Sequence, residues 1–115
     1  MTKYKLYYVA HPYSSNPEAN ISKVTEYISA LQIACPYDTF ITPLHVFNFH
    51  EGKIPYEETM KHCLKLLSKC EAAIFPHNFE ESPGCIAEMN YCKANNIRVH
   101  VNNYDKEIND YRNIL

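Results

Sequence analysis

The sequence predicts an α/β fold, in which a parallel sheet of four to five strands in the order 2-1-3-4 is covered by helices on both faces. Short apolar segments alternate with segments of helical periodicity, in the order strand–helix–strand–helix–strand–helix–strand. The strand segments are apolar along their length, as parallel strands covered on both faces are. Right-handed crossovers between such strands then produce a doubly wound, Rossmann- or flavodoxin-like sandwich. The chain has 115 residues, so we expect a single domain over 1–115.

The first unit is a strand followed by a helix. Residues 5–10 are apolar and aromatic, and the His-Pro-Tyr-Ser-Ser segment at 11–15 ends the strand. Asn16 is a favourable helix N-cap, and Pro17 fits the first helical position. Pro36 ends this helix because it cannot donate a backbone hydrogen bond. The apolar positions at helical spacing are Ile21, Val24, Ile28, Leu31 and Cys35.

The second unit begins with a strand over residues 38–42, which Pro43 ends. Residues 44–53 have no clear hydrophobic period and are predicted as a loop. A helix then opens at Pro55 and continues to Leu67. Its apolar face is formed by Met60, Cys63, Leu64 and Leu67.

The third unit comprises a strand over 71–75, a loop over 77–81 and a helix that ends near residue 93 or 94. Ser82 is its predicted N-cap and Pro83 its first helical residue. A fourth strand covers 97–101, and the polar tail from 104 to 115 is compatible with a short helix. The predicted apolar face of the third helix is Ile86, Met89 and Cys92.

Charge and composition exclude several classes of partner. Eleven Lys and Arg against thirteen Asp and Glu give a net charge of −2, without the clustered basic charge of nucleic-acid or membrane-surface binders. We expect a small-molecule partner, no polymeric nucleic acid and no membrane. A small anion remains compatible with this balance, because backbone amides and hydroxyls bind phosphate without net charge.

Cysteine usage and hydropathy predict a cytoplasmic protein. The five cysteines are odd in number and form no C-x-x-C pair, which favours reduced thiols over a disulfide framework. The longest apolar runs fall far short of the roughly 18–20 residues that a membrane span needs. No signal-peptide apolar region follows the first residues.

The carboxyl ends of the strands predict where a ligand binds, since doubly wound sheets bind ligands there. The loops at 11–15, 43–50 and 76–84 are therefore candidates. Ser82 and Gly84 open a helix at such an end, where a hydroxyl and free amides suit an anion. Taken alone, however, this segment is more often an ordinary N-cap. Glu88 lies one turn further along that helix, close to its apolar face, and is a candidate nucleophile or a surface acid.

Four histidines lie in or beside these loops, at positions 11, 45, 50 and 77. They form no H-x-x-x-H or H-E-x-x-H pair, so we expect no metal and no cofactor. Donation to a sugar or phosphate is one role for them, and a structural role in the loops is the alternative. Tyr8 is predicted to be buried, and its hydroxyl then needs a partner.

Three motifs together resemble the nucleoside 2-deoxyribosyltransferase superfamily. Residues 8–13 (Tyr-Val-Ala-His-Pro-Tyr) are similar to its aromatic-x-Ala-Gly-Pro opening, with His11 in place of the glycine. Residues 67–75 are similar to its helix end, acidic residue and apolar strand. Residues 82–88 (Ser-Pro-Gly-Cys-Ile-Ala-Glu) are similar to its Ser/Asp-x-Gly-x-x-x-Glu motif. With Thr-Pro-Leu-His at 42–45, they resemble a small, mostly phage-encoded branch of unknown function.

The resemblance implies roles for individual residues. Glu88 is the nucleophile that attacks the anomeric carbon, Tyr8 orients its carboxylate, and Ser82 binds a 5′-phosphate. Cys63 stands where the superfamily has the acid that assists the leaving base, and a thiol is a poor substitute in proton transfer. The arginine that grips phosphate in hydrolase relatives aligns near Ser14. We expect the substrate contacts to come from His11, Pro12, Tyr13, Ser14, His45, Ser82, Gly84 and Cys85.

Two functions are compatible with these residues. One is cleavage or transfer of the N-glycosidic bond of a nucleoside or nucleotide through Glu88. The other is non-catalytic binding, or degradation, of a nucleotide-derived immune signal, as in a phage anti-defence protein acting in the host cytoplasm. The resemblance also implies a homodimer or higher homo-oligomer, because relatives complete each pocket with a neighbour's residues. The apolar loop that carries Phe47 and Phe49 agrees with such an interface.

Overall fold

The computed structural model describes residues 4–12 and 16–104. It contains strands β1 to β4 and helices α1 to α4, with single 3₁₀ turns at Asn48–His50 and Phe79–Glu81. The polar tail predicted beyond Tyr104 lies outside the described residues. In chain order the elements are β1 (Leu6–Val9), α1 (Pro17–Ala34), β2 (Thr39–Ile41), α2 (Pro43–Val46), α3 (Tyr56–Leu67), β3 (Ala72–Pro76), α4 (Pro83–Ala94) and β4 (Arg98–Asn102).

The sheet confirms the predicted fold class. Its four strands are all parallel and lie in the order β2-β1-β3-β4. In the centre, Val9 of β1 is paired with Ile74 of β3, so the carboxyl ends of these two strands lie side by side. The connection from β1 leads to β2 at one edge of the sheet, and the connection from β2 returns past β1 to β3. The strand order therefore reverses between β1 and β3, and a crevice opens there.

Alternate residues of β1 pack against opposite layers of helices, because successive side chains of a strand point to opposite faces. Tyr7 and Val9 pack with Val24 and Leu31 of α1 on one face. Tyr8 and Ala10 pack on the other face, in a cluster whose members from α3 and α4 are Leu67, Cys85, Met89 and Cys92. Burial on both faces explains why the two central strands, β1 and β3, are apolar along their length.

Two N-caps form as the sequence predicts. The Asn16 side chain accepts a hydrogen bond from Ala19 N at 3.3 Å, and Pro17 is the first residue of α1. Ser82 Oγ accepts from Cys85 N at 3.3 Å, and α4 begins at Pro83. Each cap supplies an acceptor to a first-turn amide that has no carbonyl partner within the helix.

Three sequence-based expectations need correction. The predicted loop over 44–53 contains α2 and a 3₁₀ turn, because Pro43 starts a helix too short to show a period. The predicted loop over 77–81 likewise contains a 3₁₀ turn. Ile86 is exposed rather than part of the apolar face of α4. The buried residues of α4 are Cys85, Glu88, Met89 and Cys92.

The cysteines are all free thiols, and only Cys35 is not buried. None of the helices within residues 4–12 and 16–104 combines the length and apolar character that a membrane crossing requires.

Candidate active site

A cavity of about 130 Å³ opens beyond the carboxyl ends of the central strands. Its walls come from His11 after β1, from the segment between β2 and α3, from α3 and from the first two turns of α4. The cavity therefore lies where the strand order of the sheet predicts a ligand site.

Glu88 is the buried acidic group at the wall of this cavity, on the second turn of α4. It is only 4% exposed, and the fully buried Tyr8 donates a hydrogen bond from its hydroxyl to Glu88 Oε2. Burial raises the pKa of Glu88 to about 7, while the bond from Tyr8 acts in the opposite direction. The bond engages one carboxyl oxygen, so Oε1 is the oxygen left for a ligand.

Tyr8 is suited to hold that carboxyl group. Burial and the nearby Glu88 charge raise its pKa well above 10, so the phenol remains a proton donor at physiological pH. Strands pair with β1 on both sides, and the Tyr8 ring is packed in the buried cluster between the sheet and helices α3 and α4, which fixes its position. The structure thus places Tyr8 and Glu88, eighty residues apart in sequence, in direct contact.

The N-terminus of α4 forms the opposite part of the wall. Ser82 Oγ accepts a hydrogen bond from the Cys85 amide, and the Ser82 carbonyl accepts one from the Ile86 amide at 3.0 Å. Pro83 has no N–H, which leaves the Gly84 N–H as the first-turn amide without a partner among the described residues. The Ser82 hydroxyl proton and this amide are both available to an anionic ligand.

Gly84 allows a close approach at this helix end. A Cβ at this position would lie 2.7 Å from the hydroxyl oxygen of Tyr56, which belongs to the first residue of α3. The absence of a side chain thus lets the Tyr56 hydroxyl lie over the first turn of α4. Burial and the Glu88 charge raise the pKa of Tyr56, so this hydroxyl is another donor at the cavity.

Two cavity thiols remain protonated. Burial, followed by the Glu88 charge, raises the pKa of both Cys63 and Cys85 to about 12. Cys63 lies on α3 in the position that the resemblance assigns to an acid. A thiol with so high a pKa neither attacks as a thiolate nor gives up its proton at neutral pH.

His50 also lines the cavity and is 8% exposed. Its Nδ1 lies 2.8 Å from the Thr59 hydroxyl on α3. The rings of Phe47, Phe49 and His62 surround it, with centroids 4.6 to 5.4 Å from that of His50. The sequence placed His50 beside a ligand loop but did not identify it as a site residue.

Tyr56, Thr59 and Met60 were missed as well. Together with Cys63 they recur at three- and four-residue intervals, so one face of α3 turns toward the cavity. That spacing is visible in the sequence, but the apolar face predicted for this helix includes only Met60 and Cys63 of the four residues.

The predicted site residues do not all meet at this cavity. His11, Ser82, Gly84, Cys85 and Glu88 line it, and Tyr8 lies directly behind Glu88. Tyr13 and Ser14 lie outside the described residues.

Two further candidates lie elsewhere. Pro12 lines a second cavity of about 420 Å³ on the other side of His11, against α1 and Tyr104. His45 is exposed, and its Nε2 lies 2.7 Å from the Thr25 hydroxyl on α1 rather than at the first cavity. Within residues 4–12 and 16–104, no group of three or more His, Cys, Asp or Glu side chains could hold a metal ion.

A comparison with protein families finds one matching family. The model of a domain of unknown function, DUF4406, matches residues 5–101, which include the four strands up to Val101 and every residue of the first cavity. No curated protein matches the chain.

Proposed function

The chain belongs to the DUF4406 family, and from its site we propose that it cleaves or transfers the N-glycosidic bond of a nucleoside or nucleotide. The observation that carries this proposal is the buried Glu88 carboxyl group, which faces the cavity and is held by the Tyr8 hydroxyl. The same pair, with the motif at 82–88, supports a relationship to nucleoside 2-deoxyribosyltransferases and their phage-encoded branch.

The reaction begins with attack by Glu88 Oε1 on the anomeric carbon of the sugar. A C–O bond forms, the glycosidic C–N bond breaks, and its electron pair goes to the base nitrogen, which takes up a proton. Water then attacks the same carbon and releases the sugar, or a second base does so and completes a transfer. Either way the carboxylate of Glu88 is regenerated.

Burial of Glu88 favours this chemistry through its charge. A carboxylate in a dry site interacts more strongly with the positive charge that develops on the sugar than it would in water. Tyr8 orients the carboxylate without needing to move during the reaction. Because nucleophilic attack requires the ionised form, activity should rise with pH through about 7.

The size of the cavity fits the sugar portion of the substrate. Its volume of about 130 Å³ is smaller than the roughly 300–1,000 Å³ of a complete small-molecule site. We place the sugar beside Glu88 and a 5′-phosphate at the N-terminus of α4, where Ser82 and Gly84 offer donors. The base then lies toward the opening, near the segment that follows β2.

The test is incubation with a panel of nucleosides and nucleotides, measuring free base by chromatography. Wild type should release base, and Glu88→Gln should lose turnover by several orders of magnitude while retaining ligand binding, because an amide cannot form the glycosyl ester. Glu80→Gln, which changes an exposed glutamate, is the matched control. Base release that survives in Glu88→Gln contradicts the proposed nucleophile.

A second candidate function is binding without turnover, for instance of a nucleotide-derived immune signal. The observation that favours it is Cys63, whose protonated thiol replaces the acid of the resembled enzymes. A protein of this kind releases no base from any member of the panel. Glu88→Gln then changes only the affinity, and the binding free energy shifts by about 1–3 kcal/mol, as expected for one hydrogen bond to a charged group.

Exposed apolar side chains near the cavity support a homo-oligomer. Ile54 and Tyr56, which line the cavity, are exposed, and Phe49, whose ring contacts that of the lining residue His50, is 67% exposed. Exposure of several large apolar side chains to water is unfavourable. A second copy of the chain is the partner proposed to cover these side chains.

A further inference from the structure

The proposed reaction leaves one chemical requirement without an assigned residue. When the glycosidic bond breaks, the base nitrogen acquires an electron pair and needs a proton. Cys63 stands where the resembled enzymes carry the acid, but its pKa of about 12 makes it a poor donor. Cys85 has the same limitation, and Glu88 is engaged as the nucleophile.

His50 has the chemistry and the position that this step requires. It is buried at the wall of the same cavity, on the segment between β2 and α3 rather than on α4. Its backbone is held at both ends, since its amide donates to Phe47 O at 2.9 Å and its carbonyl accepts from Lys53 N and Ile54 N, each at 2.9 Å. The segment therefore holds the imidazole in place.

The hydrogen bond to Thr59 determines which ring nitrogen is free to act. His50 Nδ1 lies 2.8 Å from Thr59 Oγ1, so Nε2 is the nitrogen left for a ligand. The titratable neighbours are His62 on α3, whose ring centroid is 5.4 Å away, and the adjacent Glu51 at the cavity wall. No carboxylate bonds the ring among the described residues, so Thr59 is its positioning partner.

We propose that His50 is the general acid of this site and donates its Nε2 proton to the leaving base, an inference that rests on the proposed N-glycosidic function. In the first step the C–N electron pair moves to the base nitrogen, the His50 Nε2 proton follows it, and His50 becomes neutral. In hydrolysis, water attacks the glycosyl ester at the anomeric carbon and gives a proton back to His50 Nε2. The sum is substrate plus water to free base plus sugar, with both side chains restored.

The experiment compares two purine nucleotides that differ in their need for an acid. One is unmodified, and the other carries a methyl group on N7, so that its positively charged base leaves without taking up a proton. For His50→Gln we expect base release from the unmodified nucleotide to fall by about 10²–10⁴-fold and release from the methylated one to stay near the wild-type rate. Glu88→Gln should lose both activities.

Controls separate catalysis from folding. His77→Gln changes an exposed histidine away from the first cavity and should leave both rates unchanged. If His50→Gln does not fold, as judged by circular dichroism, Thr59→Val supplies the same comparison. That variant removes the bond to Nδ1 and should slow only the unmodified nucleotide, by about tenfold.

The outcomes distinguish this inference from the proposed function. An equal loss on both nucleotides, or no loss on either, in a folded variant overturns His50 as the acid while leaving Glu88 as the nucleophile. A wild-type protein that releases base from neither nucleotide overturns the proposed function, and His50 as an acid with it.

Discussion

Replacing Glu88 by glutamine should stabilise the protein at alkaline pH and leave its stability almost unchanged at acid pH. Burial raises the pKa of Glu88 from 4.5 to about 7 in the folded state, so folding opposes ionisation of this carboxyl group. A shift of that size corresponds to about 3 kcal/mol, at 1.36 kcal/mol per pKa unit. Glutamine is neutral at every pH, and its side-chain oxygen can still accept the hydrogen bond from Tyr8.

The sign follows from proton linkage. Below about pH 4.5 the carboxyl group is protonated in both folded and unfolded states, so Glu88 imposes no cost. Between 4.5 and 7 the unfolded chain ionises first, and the free energy of unfolding of the wild type falls. Above 7 the full cost of about 3 kcal/mol is present, and the glutamine variant should be more stable by up to that amount.

Urea unfolding of both proteins at pH 4.5 and pH 8, followed by circular dichroism, measures this difference. The stability gap between variant and wild type should widen as pH rises. Glu80→Gln removes an exposed charge instead and should show little difference at either pH. A gap that is the same at both pH values, or a wild type that gains on the variant at pH 8, would refute the burial argument.

Four other outcomes are expected. Ser82→Ala should weaken the binding of a phosphorylated ligand about tenfold and leave that of an unphosphorylated nucleoside nearly unaffected, as measured by titration calorimetry. Loss of the helix cap should also lower the free energy of unfolding by about 1 kcal/mol, as measured by urea unfolding. Cys63→Asp should increase base release, and a decrease in a folded variant would contradict the alignment of this position with the superfamily's acid. Gly84→Ala should weaken ligand binding, because the added Cβ pushes the Tyr56 hydroxyl away from the N-terminus of α4. Adding Tyr56→Phe to that variant should relieve the clash but should not restore the contact between the hydroxyl and the ligand. Sedimentation at micromolar concentration should show an oligomer that Phe49→Ser weakens, whereas a monomer at all concentrations would exclude the interface.

The fold was predictable because its signals are local. Asn16-Pro17 and Ser82-Pro83 each combine a side chain that accepts a hydrogen bond with a proline at the first helical position, where an N–H would have no partner within the helix. Both pairs begin helices as expected. The apolar strands alternate with these helices, and handedness then limits the order of the sheet. The short helix α2 was not predictable in this way, since Thr42 makes no side-chain cap and four residues show no period.

The site was predictable only in part, because its members reach the cavity by different routes. Ser82, Gly84 and Glu88 belong to one helix, so their spacing already places them together. His50 reaches the same cavity through the path of the chain after β2 and a bond to α3, which no local pattern records. His45 is the opposite case, since the sequence placed it in the site and the structure does not. Its hydrogen bond to α1 holds it away from the cavity.

Tyr104, at the end of the described chain, has a consequence for the dynamics of the central strands. Its hydroxyl lies 2.6 Å from the Ala10 carbonyl and 3.0 Å from that of Ile74, and its ring stacks on Tyr27 and beside His11. One side chain therefore joins the residues after β4, α1 and the ends of β1 and β3. Local opening at this end of the domain would release the same backbone that carries His11 to the cavity. We therefore expect a ligand bound in the cavity to slow native-state hydrogen exchange there.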